Sequence, residues 1–165
     1  MKNHIVLAFL LCAALIQDIL TRKIKNRFNL FSLAVSFLCV IWSREIKIWD
    51  ALAGFACSFI LGILLWRIGA IRAGDAKFMW TVGVLKGWKH FLFSMAYSIL
   101  AGGVIGIFVI LVKKDGKRRM KRLWRYLETI FLQKKVFQYE AEEPEEFPFS
   151  IPLAVGCLLE YFYPI

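Results

Sequence analysis

Apolar residues fall into six runs, separated by short polar stretches that carry most of the charge. The runs extend roughly from His4 to Leu20, Phe28 to Trp42, Trp49 to Ile68, Ala76 to Trp88, Phe91 to Val112 and Phe149 to Ile165. Only the third and fifth approach the ~20 residues that a helical crossing of a bilayer needs. The second and fourth are short enough for re-entrant or interfacial pieces. Six spans remain the expectation, because lipid-exposed irregular backbone leaves peptide groups unpaired. Short helices are tolerated where the bilayer thins or neighbours cover them. The pattern predicts an all-α, polytopic membrane protein with about six transmembrane helices. It forms a single membrane-embedded domain over residues 1–165, with a charged loop (113–147) before the last helix.

Composition strengthens the membrane reading. Of 165 residues, 59% are hydrophobic and 16% aromatic, more than a water-soluble core uses. The net charge of +10 would suit nucleic acid if it formed one basic face on a soluble fold. Here the basic residues sit in short stretches between apolar runs, so the expected partner is the lipid bilayer and not nucleic acid. The first loop holds Arg22, Lys23, Lys25 and Arg27, the third Arg67, Arg72 and Lys77, and the fifth opens with Lys113, Lys114 and Lys117. The second and fourth hold only Arg44 and Lys47, and Lys86 and Lys89. Odd loops that are the more positive belong in the cytoplasm, which leaves both termini outside. Asp18 and Asp75 then lie on the same, cytoplasmic side. The first run passes into Asp18 and basic residues without a small-residue cleavage site, so it is expected to be a retained helix and not a signal peptide.

Other features add less. The long loop changes sign from its basic start to Glu140, Glu142, Glu143, Glu145 and Glu146. Leu123, Trp124, Leu127, Ile130 and Phe131 recur within it at near-helical spacing, which suits either an amphipathic helix on an anionic leaflet or a solvated loop. Cys12, Cys39, Cys57 and Cys157 lie inside apolar runs without a C-x-x-C pair, and His4 and His90 are far apart. No metal site and no cofactor is expected; the thiols read as small buried side chains. Gly102, Gly103 and Gly106 read as helix-packing positions.

The chemistry narrows to the acids. Asp18, Asp75 and Glu160 alone lie within or at the edge of an apolar run and away from other charges. An aspartate near the centre of a membrane helix costs roughly 2.5–3.5 kcal/mol. Simple pairing would account for Asp18 with Arg22, and for Asp75 with Arg72 or Lys77. Glu160 reads as an interface residue. Two neighbouring carboxylates on one side also suit water-driven peptide hydrolysis. They share one proton and titrate as a pair. The ionised member draws a proton from water while the protonated one polarises the scissile carbonyl. Gly74, directly before Asp75, leaves room for a substrate backbone.

Three segments resemble one family. Asp18-Ile19-Leu20-Thr21-Arg22-Lys23-Ile24-Lys25-Asn26 resembles the first-aspartate motif of type IV prepilin peptidases, an Asp followed by basic residues and I-P-N. Arg72-Ala73-Gly74-Asp75-Ala76-Lys77 is similar to their second motif, G-x-G-D-x-K. Phe147-Pro148-Phe149-Ser150-Ile151-Pro152-Leu153-Ala154-Val155-Gly156 is similar to the P-[YF]-x-x-P-x-x-x-G of their last helix. Two departures stand out: Lys25 in place of the family's proline, and Arg72 in place of the first glycine.

The resemblance implies an aspartic endopeptidase of the bacterial or archaeal cytoplasmic membrane, of the short branch without a methyltransferase domain. Its substrate would be a prepilin or pseudopilin with a basic leader, cut at the cytoplasmic face. Asp18 and Asp75 would be the catalytic pair, with Gly74, Lys77, Arg72 and Asn26 shaping the site. A small cation-coupled transporter or channel subunit would also use two buried acids, and an inactive membrane scaffold would tolerate Arg72. Neither accounts for the basic-I-x-N continuation after Asp18 or the proline-bearing start of the last helix.

Overall fold

The computed structural model describes residues 2–21, 24–112 and 149–163, and every element in it is helical. The predicted loop 113–147 with its amphipathic segment, and the proposed partner Arg22, lie outside the described residues. The elements are α1 (Lys2–Thr21), α2 (Asn26–Ser43), α3 (Ile48–Arg67), α4 (Ala73–Val112) and α5 (Ser150–Phe162). Lys25 and Lys47 are extended immediately before α2 and α3, and Arg44 closes α2 in the left-handed region at φ 52°, its N–H returning to the Val40 carbonyl. Asp50 in the first turn of α3 and Arg67 in its last complement the helix dipole.

The fourth and fifth apolar runs are both contained in α4. One residue interrupts that helix, Gly87 at φ 74° and ψ 171°. Contacts on either side show that the chain reverses there. Gly87 lies against Asp50 and Ile46 at the start of α3, whereas Gly102 lies against Pro152 at the start of α5. Only glycine takes that backbone geometry without strain. Among the described residues, the two halves of α4 thus run in opposite directions along the bundle. Among the described residues, three helices are long and apolar enough to cross a membrane: Asn3–Thr21, Asn26–Ser43 and Ile48–Arg67. Ser150–Phe162 is a shorter apolar helix.

Packing inverts the soluble pattern. The buried face of α2 is Asn29, Ser32, Ser36 and Val40, and that of α3 is Ala51, Gly54, Ser58 and Gly62. Leu30, Phe31, Leu38 and Trp42, with Ile60 and Leu64 of α3, point outward. Small inward faces let membrane helices approach closely where lipid, not water, covers the outside. The approach is close at Gly54 and Gly83, where a Cβ on either would collide with the other's carbonyl oxygen. Gly156 of α5 is pressed in the same way on Ser94 and Ser98, and Gly102 touches Pro152. Among the described residues, nothing lies within 4 Å of where a Cβ of Gly103 or Gly106 would stand, so the expected packing role of the three is seen there for Gly102 alone. The first half of α4 is the central helix: residues 81–87 are all buried, with Phe78, Met79, Val82 and Leu85 in the main core against Leu7, Leu10 and Leu11 of α1 and Leu153 of α5.

Candidate active site

Asp18 is on the inward face of α1. Asn3, Leu7, Leu10, Ala14 and Asp18 are all buried, a spacing of three or four residues that keeps one helical face turned to the core. Asp75 is in the first turn of α4 and is 5% exposed, against 1% for Asp18. Several contacts bring the two segments to the same end of the bundle. Arg72 Nη1 is 3.9 Å from Asp18 Oδ1. Asn29 Nδ2 donates to the Gly74 carbonyl at 2.9 Å. The space left by the absent Cβ of Gly74 is taken by the Ile24 backbone, whose oxygen would be 3.0 Å from it. That glycine therefore has a reason within the chain itself. Lys77 Nζ donates to Asn26 Oδ1 at 2.9 Å.

All six residues expected from sequence thus gather at one end: Asp18, Asp75, Arg72, Gly74, Lys77 and Asn26. Arg72 reaches Asp18 of α1. Lys25 also gains an explanation. Its N–H donates to Gln17 Oε1 at 3.0 Å, a bond that proline cannot make, while its φ of −67° is one that proline would share.

Sequence reasoning missed two residues here. Asn29 holds the Gly74 carbonyl, and its signal was available: an amide inside an apolar run, one turn after Asn26. Ser150, 1% exposed, donates its hydroxyl to Asp18 Oδ2 at 2.5 Å across 132 residues of sequence.

The opposite end holds a second polar cluster, which corrects two expectations. Glu160 is not an interface residue but is buried, and Lys86 is not a loop residue. Lys86 Nζ pairs with Glu160 Oε2 and also donates to Ser94 Oγ at 2.7 Å and to the Cys157 carbonyl at 3.2 Å. His90 Nδ1 meets Glu160 Oε1 at 2.5 Å, so His90 has an acidic neighbour brought from the far end of the chain. The expectation of buried thiols holds for Cys157 but not for Cys12, which is exposed. Among the described residues, no three His, Cys, Asp or Glu side chains converge as a set that could hold a metal ion.

The molecule is an apolar helical bundle that buries two aspartates at one end. Residues 5–107, well over half of the chain, match the model of the type IV leader peptidase family. The chain belongs to that family. No curated protein and no solved structure matches it.

Proposed function

We propose that the protein is a membrane aspartic endopeptidase that removes the basic leader of prepilin-like precursors at the cytoplasmic face, with Asp18 and Asp75 as its catalytic pair. What carries the proposal is the convergence of two buried aspartates from α1 and α4 at one end of the bundle, where Arg72, three residues before Asp75, reaches Asp18. One carboxylate takes a proton from water as the water oxygen attacks the scissile carbonyl carbon. The other carboxyl gives its proton to the carbonyl oxygen. Collapse of the tetrahedral intermediate breaks the C–N bond, and the leaving nitrogen takes up a proton from the pair. The Arg72 guanidinium, Asn29 and the Lys77–Asn26 contact fix the segments that carry the two acids.

All six passes are proposed to cross the membrane, with the aspartate end on the cytoplasmic side. Support comes from the basic excess of the loops at that end. The substrate would present a basic leader ending in glycine, followed by a hydrophobic helix.

The test is co-expression with such a precursor, followed by its mobility shift on a gel. The parent is expected to process it, while Asp18→Asn and Asp75→Asn each abolish processing and stay in the membrane. A loss of roughly 4 kcal/mol or more in barrier corresponds to a thousandfold or greater drop in rate. Near-normal cleavage by either variant removes the two-aspartate mechanism.

A further inference from the structure

Serines in apolar helices usually satisfy their hydroxyl on the carbonyl one turn back, and three of this chain's buried serines do so. Ser36 donates to the Ser32 carbonyl, Ser58 to the Phe55 carbonyl and Ser98 to the Ser94 carbonyl. Ser150 does not. It is the first residue of α5, and its hydroxyl goes to Asp18 Oδ2 at 2.5 Å. That separation lies at the short end of the range for a hydroxyl donating to a carboxylate. Both side chains are essentially closed off, at 1% exposure each.

Asp18 has few ways to be oriented. The Arg72 guanidinium stands 3.9 Å from Oδ1, which supplies charge but exceeds hydrogen-bond reach. Among the described residues, Ser150 is the one hydrogen-bond donor to Asp18. The start of α5 also directs the positive end of its helix dipole toward this carboxylate. A buried carboxylate on a helix face is free to turn about its own bonds unless a donor fixes it. Here the donor comes from the last helix.

We infer that Ser150 is a positioning residue for Asp18, its hydroxyl holding the carboxylate in the orientation that the reaction uses. The inference rests on the peptidase reading of the Asp18–Asp75 pair and adds to it a contribution from α5. Ser150 touches Asp18 and acts through it.

The experiment uses the full chain purified in detergent or liposomes and a synthetic precursor segment with a basic leader, a glycine and a hydrophobic stretch. For Ser150→Ala, kcat is expected to fall roughly 10- to 100-fold, the size of one hydrogen bond to a charged group, with KM nearly unchanged. Ser150→Thr keeps a hydroxyl and should recover most of the loss. In an Asp18→Asn background, Ser150→Ala should cost nothing further, because residues acting as one unit are non-additive. A second readout does not need turnover. The Asp18 carboxylate stretch, isolated as the infrared difference between the parent and Asp18→Asn, should shift in Ser150→Ala and return in Ser150→Thr.

A kcat for Ser150→Ala within twofold of the parent, or an unshifted carboxylate band, overturns the assignment of Ser150. So does a Ser150→Thr variant as impaired as Ser150→Ala with an equal loss of thermal stability, since the serine would then serve only packing. Full activity of Asp18→Asn instead defeats the peptidase reading, and the infrared result then judges the contact alone.

Discussion

Removing Glu160 isolates a buried ammonium. Lys86 has a side-chain exposure of 1% and Glu160 of 4%, so water reaches neither charge. In Glu160→Ala the lysine keeps only two neutral acceptors, Ser94 Oγ and the Cys157 carbonyl. Breaking one side of a buried ion pair costs about 3–5 kcal/mol. For a chain of this size that is a fall in Tm on the order of 10 °C. The His90 arm is worth far less, although His90 Nδ1 also meets Glu160. Its side chain is 55% exposed, and screening holds such a contact to about 1 kcal/mol or below. His90→Ala should therefore shift Tm by only ~2–4 °C.

The decisive variant replaces both charges. Lys86→Met with Glu160→Leu removes the pair and leaves apolar side chains of similar volume, which is often neutral or stabilising. Thermal unfolding of the parent, both single variants and the double variant in one detergent closes the cycle. The expected result is two damaging single changes and a double change close to the parent. A Glu160→Ala variant melting within about 2 °C of the parent would refute the claim of an enclosed pair. A double variant worse than either single would show that the charges contribute more than mutual neutralisation.

Other expectations follow from single contacts. Asn29→Ala removes the donor to the Gly74 carbonyl and should lower cleavage about tenfold, a cost of about 1–3 kcal/mol, read as kcat with the precursor segment; unchanged turnover would free Asn29 from any role in placing Asp75. Gly83→Leu drives a side chain into the Gly54 carbonyl and Ser58; overpacking of that kind costs about 1–3 kcal/mol or more, and a Tm equal to the parent's would argue against the close helix approach. In a background without the four natural cysteines, Lys89→Cys should react with a membrane-impermeant maleimide in intact cells while Ala70→Cys should not, and the reverse labelling would invert the topology.

The aspartates were legible in the sequence because an acid within an apolar run is costly wherever it sits, and Asp18 and Asp75 fell between basic loops of the same parity. The Lys86–Glu160 pair was not legible. Each residue sits near the end of an apolar run, where a charge at the membrane surface needs no partner. Only the reversal at Gly87 and the return of α5 bring the two together, across 74 residues. Local pattern carries no record of such a contact. The inward faces of α2 and α3 were legible and went unread. Ser32 and Ser36, and Gly54, Ser58 and Gly62, recur every four residues amid larger apolar neighbours. Such a stripe marks the packed side of a membrane helix, whereas Gly103 and Gly106 pack against nothing among the described residues.

The two polar clusters are joined by α5. Ser150 begins that helix at Asp18, and Glu160 lies ten residues on, about 15 Å along the axis at 1.5 Å per residue, locked to Lys86 of the central helix. Between them Gly156 is pressed against Ser94 and Ser98 closely enough that a Cβ there would overlap backbone atoms. A helix of 13 residues has little stability of its own in isolation, so the position of its first residue depends on what anchors the rest. The buried pair holds the far end, the glycine contact fixes the height along α4, and the serine is thereby set against the carboxylate. Polar groups at the end remote from the aspartates thus have a physical route to the geometry of Asp18, through one rigid element instead of a chain of side-chain contacts. The motif at the start of the last helix acquires the same logic. Pro152 packs on Gly102 and lacks an N–H that the first turn would in any case leave unpaired, so it stiffens the turn that carries Ser150 without removing a hydrogen bond from the helix.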